Sequence, residues 1–173
     1  MALSCTVGGA RGIFEGGVAT EVACTLDRTF GFEGGWELAE SHPFGALAGD
    51  GWNVLRERGV AALSTEELPN LLALGETGRA VYLPTHVQAM SLQLSAGSPL
   101  RCASLPGLCR ELAALADDWD VPRDDESLQA ILRESDEGTV ADAPEILAFA
   151  RLSLAANEAV RRDCPLWLFD EKV

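Results

Sequence analysis

Leu105, Leu108, Cys109, Leu112, Leu115, Ala116 and Trp119 recur 3, 4, 7, 10, 11 and 14 residues after the first of them. Only a helix of about 3.6 residues per turn brings all seven to one side, so the spacing predicts an amphipathic helix with one apolar stripe. Ser104 stands where an N-cap acceptor belongs, and Val121-Pro122 stops the pattern. Such a stripe must be hidden against other elements, so the chain needs a layered core around this helix.

Two further helices follow. A short one carries Leu128, Ile131 and Leu132, with Gly138 as its break. The longest starts near Asp142, which forms a capping-box-like pair with Glu145, and Pro144 is tolerated in its first turn. Arg161 and Arg162 suit the negative end of its dipole, and Cys164-Pro165 ends it. Phe149, Leu152, Ala156, Ala159 and Val160 form its evident core face. Leu147 and Leu154 point nearly the other way, on a stripe with Arg151 and Glu158. That helix is therefore buried on both sides, or it offers Leu147, Arg151 and Leu154 to a partner or a second copy. Leu166–Phe169 reads as a buried terminal strand or an apolar tail.

Earlier segments are less regular. Residues 1–51 are rich in glycine, with Leu3–Val7 and Val18–Leu26 as runs that suit short strands, the second also compatible with a helical turn or two. Ser64 and Glu67 form a capping box ahead of Leu68, Leu71 and Leu72, with Gly75 and Gly78 as stops. Arg79–Leu83 suits a strand, and Pro84 opens a helix that carries Leu83, Val87, Met90 and Leu94 on one face. The expected fold is α+β in a single domain over 1–173. A mainly helical part, 52–173, packs on a small irregular β portion from 1–51, which Arg79–Leu83 and Leu166–Phe169 join. A nearly all-α fold is the alternative.

Charge is the second constraint. Asp117 to Glu126 reads DDWDVPRDDE, with six acids in ten positions. From Glu111 to Glu145 there are twelve acids against Arg123 and Arg133, whereas Thr77 to Arg110 holds no acid. That acid-free segment reads mostly as core, or as a basic surface facing the acidic one. The net charge of −14 repels phosphate backbones and favours basic proteins as partners. Twelve Arg against the single Lys172, with many Ala, fit a GC-rich, bacterial genome; adaptation to high salt would give a similar composition. Five cysteines at irregular spacing fit a reducing cytoplasm better than a disulfide framework. No run approaches 18 apolar residues and MALSCTVGGARG lacks a basic n-region, so neither a membrane span nor a signal segment is expected.

Three uses of the acidic run compete: a solvated loop, a divalent-metal site, or a docking surface. A calcium loop needs a glycine at its sharp turn, and Pro122 stands in the middle here. Docking is favoured among the functional uses, because clustered carboxylates steer a cationic partner and Trp119 has the character of an interface anchor. Asp117, Asp118, Trp119, Asp120, Asp124 and Asp125 are the candidate contacts, with Leu147, Arg151 and Leu154 as a second candidate face.

Catalytic patterns are thin. Cys102 or Cys109 with His86 would need proximity that spacing does not establish, and no CxxC pair suggests zinc. Gly8-Gly9-Ala10-Arg11-Gly12 lacks the Lys-Ser/Thr of a phosphate loop. The expectation is a non-enzymatic acidic protein without cofactor or metal that binds a basic protein, an immunity-type inhibitor being the most concrete version. A small hydrolase or transferase with an unreadable site and a homo-oligomeric structural protein are the alternatives.

Overall fold

Along Arg79–Leu83, Val81 and Leu83 face one apolar cluster while Ala80 and Tyr82 face another, and all four are buried. A strand points successive side chains to opposite faces, so this one must lie inside a sheet covered on both sides. The computed structural model, which describes residues 3–31, 39–47, 50–74, 79–95, 99–138 and 143–170, has that arrangement. Its strands are β1 (Leu3–Val7), β2 (His42–Leu47), β3 (Arg79–Leu83), β4 (Met90–Leu92), β5 (Leu100–Ser104) and β6 (Leu166–Asp170). They form one mixed sheet in the order β2-β1-β6-β3-β5-β4, in which only the β3–β5 pair is parallel. The described α-helices are α1 (Gly16–Phe30), α2 (Gly51–Ala62), α3 (Leu105–Trp119), α4 (Asp125–Asp136) and α5 (Pro144–Arg162). The fold is α+β, as expected.

The sheet divides the core. On one side α1 lays Ala19, Val22 and Leu26 against Val81, Leu83, Cys102 and Trp167. On the other, α2, α3 and α5 cover Cys5, Val7, Ala80, Tyr82, Leu166 and Leu168, and α4 packs on α5. Leu105, Leu108, Leu112 and Leu115 of α3 are each at most 4% exposed. At about 1.5–3 kcal/mol per buried side chain their burial is worth on the order of 6–12 kcal/mol, an upper figure because the unfolded chain already hides some surface. That far exceeds intrinsic helix preference, so tertiary burial fixes α3. Ser104 caps it as expected, its Oγ accepting from the Gly107 N–H at 3.0 Å.

Leu166–Phe169 lies in β6, between β1 and β3, and is central to the sheet rather than an appended tail. Trp167 is 1% exposed and donates its indole N–H to the Gly8 carbonyl at 2.8 Å. Gly8 has φ +140° and a Cβ there would sit 2.6 Å from the Glu40 carbonyl oxygen, so only glycine fits.

Several expectations are corrected. Val18–Leu26 is helical, inside α1: Ala19, Val22, Ala23 and Leu26 are all buried at helical spacing, and Gly31 at φ +68° ends the helix. The irregular β portion assigned to 1–51 therefore includes a 15-residue helix. β2 carries Pro43, which the sheet edge tolerates. No helix starts at Pro84. Met90–Leu92 instead pairs with β5, whose outer backbone groups would otherwise lack partners. The Ser64–Glu67 capping box forms, but the helix stops after the 3-10 turn Thr65–Glu67. Pro69 follows and pushes Leu68 out of helical geometry (φ −120°, ψ 39°). Gly75, Gly78 and Asp142 lie outside the described residues.

Candidate functional site

The acidic run is the end of one helix, a short link and the start of the next. Asp120 caps α3 in the left-handed conformation (φ 54°), its N–H bonded to the Ala116 carbonyl. Asp124 is the N-cap of α4 and accepts the Ser127 N–H at 2.9 Å, which holds its carboxyl below the ordinary range. Asp125 and Glu126 lie in the first turn of α4, where the helix dipole favours anions. Asp125 also pairs with Arg161 and accepts from Asn157 Nδ2 at 2.7 Å, and these bonds depress its pKa.

The other half of the run has no such explanation. Asp117 and Asp118 occupy the last turn of α3, which holds no basic residue and where the dipole disfavours anions. Asp117 is relieved by an ion pair with Arg123. Among the described residues, no ion pair relieves Asp118 or Asp120, and both are exposed.

Trp119 is half-buried by its own chain. Its ring meets Phe149 of α5 edge-on, with centroids 6.0 Å apart at 62°. The Arg58 guanidinium lies over it at 5.2 Å. Arg58 also pairs with Glu145, whose side chain is only 7% exposed. Thus one cation on α2 neutralises a buried carboxylate of α5 and stacks on the Trp that closes α3. The sequence gives no sign of Arg58, since α2 shows no sharp apolar face.

The second candidate face is partly covered, and its Leu147 and Arg151 line a cavity of about 240 Å³ beside Ala46 and Leu47. Leu154 is 6% exposed and belongs to the core, and Leu147 is half-buried. Arg151 reaches the edge of the sheet, donating from Nη1 to the Ala46 carbonyl at 2.9 Å. The stripe lies against β1 and β2, so α5 is central and packed on opposite sides. Val160, assigned to its core face, is 54% exposed.

Next to the acidic junction, α3 and α5 leave a cavity of about 120 Å³, open on one side. Cys109, Leu112, Phe149 and Ala156 line it, and Arg123, Ser153 and Asn157 add polar groups. Its wall therefore includes the cation that holds Asp117 and the amide that holds Asp125. Ser153 is 7% exposed, and its Oγ has no hydrogen-bond partner among the described residues. The periodicity of α5 contains a signal for this: Ser153 falls between Phe149 and Ala156 on the apolar side, a polar residue where the helix faces a neighbour.

Cys102 is buried toward α1, where desolvation pushes its pKa up to about 12. Burial raises that of Cys109 as well. His86 is exposed in the link after β3. His42 has Arg162 Nη1 2.6 Å from its Nε2. Among the described residues, no group of three His, Cys, Asp or Glu side chains is arranged to hold a metal ion, and no helix is long and apolar enough to cross a membrane. No family model matches the chain, and neither a curated protein nor a solved structure matches it.

Proposed function

We propose that this chain is a non-enzymatic acidic binder of a basic protein, an immunity-type inhibitor in its most concrete form, and that it docks through the α3–α4 junction. The observation that carries the reading is the position of Asp118 and Asp120. Both lie at the helix end where anions are disfavoured, and neither has an ion-pair partner among the described residues. Folding gains nothing from those charges, whereas association with a cationic surface does. Asp117 and the half-buried Trp119 flank them, and Asp124 and Asp125 extend the surface while serving α4. The five separate thiols support a reducing, cytoplasmic setting.

Reversing Asp118 and Asp120 to Lys leaves the N-cap of α4 and the Asp125 bonds in place. The wild-type chain, used as bait in lysate of its source, should retain a basic protein at low salt and lose it at high salt. The double variant should fail to retain it at either. Retention of the same protein by the variant at low salt would sink the reading.

A further inference from the structure

Nε2 of His42 stands between two partners of opposite charge. Arg162 Nη1 lies 2.6 Å from it, and Glu40 Oε2 lies 3.9 Å from the same nitrogen. A guanidinium only donates, so the bond from Arg162 exists only while Nε2 keeps its lone pair and the ring is neutral. A carboxylate only accepts, so Glu40 binds that nitrogen only when it carries a proton. We propose that His42 is a pH-operated latch on the edge strand β2: neutral, it ties the strand to α5 through Arg162, and protonated, it turns to Glu40 and lets α5 go.

The surroundings leave the decision to the histidine, the side-chain type that changes charge between pH 5 and 8. Arg162 also pairs with Glu158, whose carboxyl is held below its ordinary value by Arg162 and Arg161. That pair stays ionised through the window, so Arg162 keeps a partner after it leaves His42. Asp163 caps α5, and burial raises the pKa of the Cys164 thiol that follows. β1 runs alongside with Val7 opposite His42, and it carries no charged side chain. The 3-10 turn Ala10–Gly12 lies against Ser41 and brings Arg11, which keeps its charge as every arginine does here. Among the described residues, Glu40 is the one carboxylate within ion-pair reach of the ring.

The position of the latch gives it a consequence. β2 ends the sheet and pairs with β1 alone. α5 holds it near both ends, through Arg162 at His42 and through Arg151, which donates to the Ala46 carbonyl at 2.9 Å. The second tie joins an arginine to a backbone carbonyl, and neither titrates in this range. Protonation of His42 therefore exchanges a tie between two elements for a local one within the approach to β2. Above the histidine range the strand is held at both ends, and below it only at Ala46. The released end borders the turn after β1, where the Gly9 N–H donates to the Ala39 carbonyl at 3.1 Å.

The test is a pair of double-mutant cycles on the full chain, read by urea denaturation at pH 8 and pH 5. The cycle of His42→Ala with Arg162→Ala should show a favourable coupling of about two- to five-fold in the unfolding constant at pH 8, as for a part-exposed pair. At pH 5 that coupling should vanish or change sign. Loss of the Glu158 pair cancels within the cycle, since both variants that lack Arg162 share it. The cycle of Glu40→Ala with His42→Ala should behave the other way round, with coupling at pH 5 and none at pH 8. His42→Gln is the control: its amide oxygen accepts from Arg162 at either pH, so its coupling to Arg162 should not change. Equal coupling of His42 to Arg162 at both pH values overturns the proposal, as does its absence at pH 8. A coupling to Glu40 that fails to appear at pH 5 overturns it too. So does an equal pH swing in His42→Gln, which would assign the response to another group.

Discussion

The carboxylate of Glu111 on α3 accepts both the backbone N–H and the side-chain amide of Asn70, at 2.9 and 2.6 Å, across 41 residues of sequence. Its other oxygen accepts the Leu71 N–H at 2.6 Å. Asn70 in turn accepts the Ser104 N–H at 2.9 Å, and Ser104 caps α3. One buried acid thus ties the link after α2 to the junction of β5 and α3. Burial raises the pKa of Glu111, while the donors from Asn70 and Leu71 oppose the rise. Gly107 is part of the arrangement: a Cβ there would stand 2.4 Å from the Asn70 amide nitrogen.

Glu111→Gln keeps the shape but turns one acceptor into a donor that faces an N–H. The loss should be about 1–3 kcal/mol of unfolding free energy at neutral pH, the cost of unsatisfied buried groups. Urea denaturation with an unchanged m-value would check it. A loss below about 0.5 kcal/mol would mean that the network does not anchor the link.

Arg58→Met should also destabilise, because it leaves the Glu145 carboxylate buried without its cation and removes the guanidinium from the Trp119 ring. Half of Arg58 is solvent-exposed, which lowers the expected cost to about 1–2 kcal/mol. Trp119 emission should shift in the same variant. The double variant Arg58→Met, Glu145→Met should recover most of the stability, since the unpaired charge is then gone.

Acid should loosen α4 from α5. Asp125 and Glu158 both hold Arg161, and both carboxyls lie below their ordinary values of 3.8 and 4.5. A depressed folded pKa gives stability that is full above the unfolded value and is lost as pH falls through the folded one. The contribution is therefore complete at neutral pH, starts to fall near the ordinary carboxyl values and is gone only below the depressed folded ones. Asp125→Asn should flatten this acid limb when Tm is followed between pH 6 and 2.5. An identical limb in the variant would remove the pair from the acid response.

Asp120→Gly should stabilise the protein. Glycine adopts φ 54° without the steric cost that Asp bears, and the change removes an anion from the dipole's negative end. A gain of about 0.5–1 kcal/mol is expected in thermal unfolding. A loss would mean that the Asp120 carboxylate serves the fold, and the functional reading of the junction would lose half its basis.

The periodicity of Leu105–Trp119, the Ser104 cap and the buried character of Leu166–Phe169 were legible because each depends on neighbours close in sequence. So was the α+β class. Legibility failed where two signals compete over a short range. Val18–Leu26 mixes β-branched residues with helical spacing, and burial on the sheet chose the helix. Leu83, Val87, Met90 and Leu94 match a helical face, yet pairing with β5 took Met90–Leu92 into a strand. For the site, the acidic run was plain from composition. Its division into capping and uncompensated halves was not, because that depends on where α3 ends and α4 begins.

The sequence by itself determined the charge, its concentration beside the best amphipathic helix, and the local caps. Local dihedral preference and side-chain spacing suffice for those. Only the tertiary structure decided that Trp119 rests on Phe149 under Arg58, that Leu154 is covered, and that Ser153 faces a cavity. Each of these brings together side chains from different elements, and the free energy of such contacts comes from desolvation across the sheet and between helices. No spacing along the chain encodes which face of α5 meets α3, because burial of the whole helix layer selects it.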